Sequence, residues 1–300
     1  MRASDCGSKD VVVGLICLAM IVMTVGAVGQ SAREIEFRLE CQNNLRTLGK
    51  AMALYANDYQ DELAKAGGKE NEWVPTLPNW LAQSRQKAYD MTSGGVGKVT
   101  VTSSLYLLIK YAEVKPRYFV CPSEPETHVF TLEGIPEKLP DGFPLVEAWD
   151  FGGRYNTRNN PTSHCSYSYH APFGGYVLTT ASEPGMAVLT DRNPWMDPNR
   201  VKDPNVGWAR FEPGTSEMKA CIGNSDTHQR DGQNVLFLDT HVKFETRATC
   251  GVDQDNIYTL ASDTTGSEKA KGLAPKVYDR IRPAEKRDSV LVQELGFDLR

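Results

Sequence analysis

The chain has 300 residues, and 33 Lys and Arg against 38 Asp and Glu leave a formal charge of −5. That balance excludes a nucleic-acid binder driven by bulk positive charge, and 40% hydrophobic with 9% aromatic residues excludes a largely disordered chain. No repeat of fixed period occurs and Gly and Pro are ordinary in number, which removes solenoid and collagen-like architectures and leaves one or two domains.

The first predicted element is the stretch from Val11 to Gly29, which carries no charge. At the helical rise it spans roughly 28 Å, about the hydrocarbon thickness of a bilayer, so it reads as a membrane segment or a signal peptide. A cleavable signal has a shorter apolar run of about 7 to 15 residues, which favours the membrane segment, although Ala27-Val28-Gly29 would serve as a cleavage site. Arg2 and Lys9 before it and Arg33, Arg38 and Arg46 after it leave the orientation balanced.

Helical periodicity continues beyond this segment. Phe37, Cys41, Leu45, Leu48, Met52, Tyr55 and Tyr59 recur at spacings of three and four and share one face. Gly49 weakens the run and Gly67-Gly68 stops it. Joined to the first segment, the helix would run from Val11 to Leu63, on the order of 80 Å; an anchor followed by a separate amphipathic helix satisfies the same spacing. After Gly68, Pro75, Pro78 and the run Ser93 to Gly97 break periodicity. A short helix follows, capped by Thr102 or Ser103, with Leu105, Leu108 and Ala112 inward and Pro116 closing it. Strands are expected at Tyr176 to Thr180, Ala187 to Thr190, Asn234 to Phe244 and Asn256 to Leu260, making a small antiparallel sheet. Asn193 to Glu217, with four prolines, reads as a long surface insertion, and the charged residues after Lys269 as a peripheral tail.

In a strand covering Asn234 to Phe244, Asp239 and His241 share a face. With His228 upstream and Asp191 at the end of another strand, the four could converge on a divalent metal such as Zn or Ca; the competing reading ties His228 and Asp239 by a hydrogen bond and leaves His241 at the surface. Asp253 and Asp255 form an oxygen-rich turn able to hold calcium or simply to face solvent. His164, Cys165 and His170 lack the second cysteine pair of a zinc pattern. Beyond Cys6 and Cys17 there remain Cys41, Cys121, Cys165, Cys221 and Cys250, and the pair expected is Cys221 with Cys250, which border the predicted strand Asn234 to Phe244. No nucleophile elbow, phosphate loop, His-Glu-x-x-His pair or dinucleotide fingerprint occurs, so no catalytic residue is assigned. Two further function classes remain: a metal-dependent hydrolase using Asp191, His228, Asp239 and His241, and a glycan-binding module using Trp195 and Trp208.

Two stretches carry a family resemblance. Ala32-Arg33-Glu34, Cys41-Gln42-Asn43-Asn44-Leu45-Arg46-Thr47-Leu48-Gly49-Lys50-Ala51-Met52 and Tyr55-Ala56-Asn57-Asp58-Tyr59 form one, and His228 to Val242 the other; Phe119-Val120-Cys121-Pro122 and Ala187 to Arg192 match between them. Together they resemble bacterial type II secretion pseudopilin-like proteins with a prepilin-type N-terminus and a C-terminal signature of His, nine residues, then Asp-Gly. The resemblance implies an α+β, pilin-like fold, one long N-terminal helix on a small antiparallel sheet with long loops, the helix membrane-spanning in its first half. It implies a single-pass inner-membrane structural protein with a periplasmic domain. Its partners would be other pseudopilin or secretion-system subunits, or copies in a homo-oligomeric filament, and no nucleic acid. The cleavage motif aligns with Gly7-Ser8-Lys9-Asp10-Val11-Val12, placing processing between Gly7 and Ser8 and putting Val12 where the family has glutamate. The second signature has ten residues between His228 and Asp239 and Thr240 in place of glycine. The expected organisation is a leader at 1–10, a transmembrane segment at 11–29, the rest of the long helix at 30–66, the α+β domain at 67–268 and the tail at 269–300.

Overall fold

The computed structural model describes residues 8–295, leaving out 69, 134, 136, 141, 155–159, 215, 263–269 and 280; within the first helix its side chains are described at 15, 16 and from 32 onward. Helix α1 runs Ser8–Asp58. Its periodic face is the core of the molecule, with Cys41, Leu45, Leu48, Met52 and Tyr55 buried while Ile35, Leu39 and Leu54 stay exposed. Gln60 and Asp61 take left-handed backbone at φ 58° and 63°, so the helix ends before Gly67-Gly68.

Next, β1 (Glu70–Trp73) and β2 (Val96–Val99) pair in parallel around α2 (Arg85–Ala88). Helix α3 (Val101–Ala112) begins at Thr100 in a reciprocal cap with Ser103, two or three residues before the expected cap. The buried Glu294 carboxylate accepts N–H bonds from Val101 and Thr102 and from the Trp73 indole, placing negative charge on the helix N-terminus. Strands β3 (Tyr167–His170) and β4 (Ala187–Asp191), helices α4 (Pro198–Lys202) and α5 (Glu217–Ala220), and strands β5 (Gln233–Phe237), β6 (Val242–Glu245) and β7 (Leu291–Val292) complete the chain. One antiparallel sheet runs β6-β5-β4-β3-β7.

Both faces of this sheet are covered. Tyr169, Leu189, Leu236 and Val292 join the core beneath α1 and α3. Gly49 permits the closest approach, since a Cβ there would lie 2.7 Å from Leu236 Cδ1. On the other face Ala187, Val235, Phe237 and Leu291 meet Trp195, Phe211, Ile257 and Tyr258. Full burial of such side chains is worth about 1.5 to 3 kcal/mol each.

Several expectations are corrected. The chain is α+β with a five-stranded antiparallel sheet, but the pilin-like architecture with a membrane-spanning first half does not hold: among the described residues no helix is long and apolar enough to cross a membrane. The described turns of α1 before Cys41 carry Arg33, Glu34, Glu36, Arg38 and Glu40, too much charge for hydrocarbon. The single-pass inner-membrane placement goes with it. Of Val11 to Gly29 only the Leu15 and Ile16 side chains fall within the described residues; Gly7 and the side chain of Ser8 lie outside them. Asn193 to Glu217 is no surface insertion, because Trp195 and Phe211 anchor it over the sheet. The tail is not wholly peripheral, since Val290, Leu291 and Val292 are buried and β7 closes the sheet beside β3. Asn234 to Phe244 is a hairpin rather than one strand, its turn passing through Thr240 at φ 71°. Tyr176 to Thr180 contributes only the Thr179 bridge to Glu62, and Asn256 to Leu260 only the Leu260 bridge to Leu273.

Candidate functional site

Where α1 enters the domain, four polar side chains from distant parts of the sequence meet in the interior. Cys41 lies on the buried face of α1, and Cys121 follows the 3-10 helix Pro116–Phe119 packed against α1. Asp191 ends β4, and His228 sits in the turn before β5, where Gln229 and Arg230 adopt φ 58° and 67°. None has exposed surface, and one ligand atom from each lies within 4.8 Å of all the others, a group that could hold a metal ion. Cys41 and Cys121 are joined in a disulfide with Cα atoms 5.4 Å apart, so two of the four donors are occupied by each other.

The hydrogen bonds fix the imidazole. The Asn234 side-chain amide donates to His228 Nε2 at 3.1 Å, which makes Nε2 an acceptor and puts the proton on Nδ1. Nδ1 then donates to Glu34 Oε1 at 2.7 Å, with Ser123 Oγ at 3.1 Å on the same side. Asp191 Oδ2 lies 3.5 Å and Cys121 Sγ 3.9 Å from Nε2. Asp191 Oδ2 accepts the Asn234 backbone N–H at 2.6 Å, while Asp191 Oδ1 is buried without a partner. Burial pushes the Asp191 carboxyl up to about 6, against the pull of His228 and the Asn234 N–H. Arg38 closes the outer side, 2.5 Å from Asp231 and 3.9 Å from Glu34, its guanidinium 4.5 Å above the Phe244 ring.

Of the four predicted ligands, the structure brings together Asp191 and His228 and leaves out Asp239 and His241. Those two sit in the exposed β5–β6 turn, where His241 Nδ1 lies 2.5 Å from Asp239 Oδ1 and its ring stacks on Phe237 at 4.4 Å. They are no longer alternate residues of one strand, so they point at each other rather than across the sheet. His228 bonds to Glu34, Ser123 and Asn234, not to Asp239. Asp253 and Asp255 do not converge on a calcium position: Asp253 pairs with Arg287 at 3.0 Å, and Asp255 accepts the Ser289 backbone N–H at 2.8 Å. The expected Cys221–Cys250 disulfide is absent, both being free thiols, with Cys221 turned back on the Met218 carbonyl. Trp195 is buried with its ring edge-on to Trp208 at 5.0 Å, while Trp208 is half-buried with Lys271 5.3 Å over its ring.

Glu34, Cys41, Cys121 and Asn234 carry no metal or catalytic motif of their own in the sequence. The usable signal was that each falls inside a stretch carrying the family resemblance. A scan against protein-family models and searches of curated proteins and of solved structures find no match to this chain.

Proposed function

We propose that the chain is a structural, non-catalytic subunit that assembles with copies of itself through the part of α1 that leaves the domain. The observation that carries this reading is the outward face of one helix. On the side of α1 opposite the buried Cys41, Leu45 and Leu48, Ile35 and Leu39, one turn apart, are 57% and 53% exposed, and Leu54 further along is 54% exposed. A helix with one face in the domain core and apolar residues on its outward face suits packing against equivalent helices, the assembly role that the resemblance of Cys41 to Tyr59 and His228 to Val242 implies. A hydrolytic site is disfavoured, because His228 and Asp191 have no exposed surface for water and substrate to reach.

The test is sedimentation and electron microscopy of the full chain beside the double variant Ile35→Glu, Leu39→Glu. The parent chain is expected to form concentration-dependent oligomers, and the variant to sediment as a monomer with an unchanged urea midpoint. A parent chain that stays monomeric at its highest soluble concentration, or a variant that assembles equally well, overturns the proposal.

A further inference from the structure

The disulfide, Asp191 and His228 occupy a single buried pocket, and their arrangement has a second use. We propose that reduction of Cys41–Cys121 by a dithiol converts this pocket into a Zn²⁺ site with ligands Cys41 Sγ, Cys121 Sγ, His228 Nε2 and Asp191 Oδ1, so that the pocket holds either a disulfide or a metal.

The donor set is chemically specific. Two thiolates, one imidazole and one carboxylate are a four-coordinate zinc set, whereas calcium takes six to eight oxygens and has too few here. Distances agree with a small rearrangement. Zn–S bonds of about 2.3 Å at the tetrahedral angle hold two sulfurs about 3.8 Å apart, and one donor atom from each of the four residues already lies within 4.8 Å of the others. His228 is already oriented for metal binding. Glu34 holds its Nδ1–H at 2.7 Å, the carboxylate–imidazole pairing that orients metal-bound histidines, and leaves the Nε2 lone pair facing Cys121 Sγ at 3.9 Å. In the disulfide state that lone pair is held by the Asn234 amide, which in the metal state turns its N–H groups to a thiolate. Asp191 Oδ1 is buried with no hydrogen-bond partner, which a hydrocarbon-like interior penalises and a cation would relieve.

The chemistry balances. A thiolate of the dithiol attacks one sulfur, the Cys41–Cys121 bond breaks through a mixed disulfide, and the second thiol of the reductant closes its own ring; two electrons pass to the protein and the reductant leaves as a cyclic disulfide. The two cysteine thiols then lose one proton each to solvent as Zn²⁺ binds. The route in lies past Glu34 and Arg38, whose side chains are 17% and 22% exposed and form the outer wall of the pocket. Zinc binding and the assembly role of α1 are independent of each other.

The experiment uses the full chain with Cys6, Cys17, Cys221 and Cys250 replaced by serine, so that outside the pocket only the buried thiol of Cys165 is left. The oxidised protein and protein reduced with dithiothreitol, then freed of it anaerobically, are each titrated with Co²⁺ and then Zn²⁺. The reduced protein is expected to bind one Co²⁺ with the visible bands of tetrahedral coordination and a sulfur-to-cobalt charge-transfer band. Zn²⁺ should abolish both while two protons are released; the oxidised protein should show neither. Asp191→Asn and His228→Ala should each weaken binding at least about 100-fold, and Glu34→Gln about 10- to 100-fold with the bands retained. Equal binding by the oxidised protein, no binding by the reduced one, loss of cooperative urea unfolding on reduction, or binding indifferent to both Asp191→Asn and Glu34→Gln overturns the proposal.

Discussion

Removing the Cys41–Cys121 link by the double change Cys41→Ala, Cys121→Ala should be the most destabilising pair of small substitutions in the molecule. The cysteines are separated by 80 residues. Loop-closure entropy for that length is about 15 cal/mol/K, or about 4.5 kcal/mol at 25 °C, released to the unfolded chain when the link is absent. Both sulfurs are fully buried, so the alanines also leave a void worth about 1 kcal/mol per missing sulfur. Against total stabilities of about 5 to 15 kcal/mol, this is a third of the whole or more. Urea unfolding followed by circular dichroism reads it directly: at an m-value of about 3 kcal/mol/M, the loop term alone moves the midpoint down by about 1.5 M. Metal-free, reduced parent protein should lose the loop term without the cavity term, and so fall between the two. A loss below about 1 kcal/mol in the double alanine variant would refute the reasoning, because neither the covalent loop nor the buried pair would then be what holds the end of α1 to the domain.

Two further outcomes follow from single features. Asp150 is buried and Asp255 half-buried beside Asp288, and loss of hydration pushes each carboxyl up to about 8, so between pH 6.5 and 8 the folded chain holds protons that the unfolded chain has already released. Stability should therefore fall as pH rises through that window, by about 1 to 2 kcal/mol per group, and Asp150→Asn should flatten the urea midpoint against pH. His170, held down to about 4 by burial, works in the opposite direction only below pH 6.5, where the unfolded chain takes up its proton first. Thr240 is exposed in the β5–β6 turn at φ 71°, a conformation that costs a β-branched residue but not glycine. Thr240→Gly should raise the urea midpoint, by an amount equivalent to about 1 kcal/mol; a lower midpoint would mean that the turn relaxes differently from the geometry described.

The parts of the fold legible in the sequence were those with a local cause. The buried face of α1 could be read because Cys41, Leu45, Leu48, Met52 and Tyr55 repeat at the helical period, and the packing against Leu236 respects it. Strand β4 was readable from its run of apolar residues. The hairpin was not, since Val235 to Leu238 are apolar, Val242 and Phe244 resume in strand-like alternation, and the reversal rests on Asp239-Thr240, where threonine stands in place of the glycine that would mark a tight turn. Strand β7 is two residues long inside a charged stretch, and what places it is pairing with β3 and burial between two cores. At the pocket, Asp191 and His228 could be named from residue type and position. Asp239 and His241 were misplaced with the hairpin turn that carries them. The cysteine pairing was illegible for a different reason: Cys221 and Cys250 flank the signature in sequence, but it is the docking of α1 on the segment after Pro116–Phe119 that brings Cys41 to Cys121.

The position of that link gives the molecule a mechanical polarity. Among the described residues, Cys41 is the first fully buried one met on entering the domain along α1. Tension applied to the outer part of the helix therefore arrives at a covalent bond before it reaches Leu45, Leu48 or Met52. The bond passes the load sideways to Cys121 and the segment behind it, and the helix turns seated on the sheet are shielded. With the bond intact, the domain is tethered at its rim and its hydrogen-bonded ladder bears little of the pull; with the bond open, the same force would peel α1 off β5 one turn at a time.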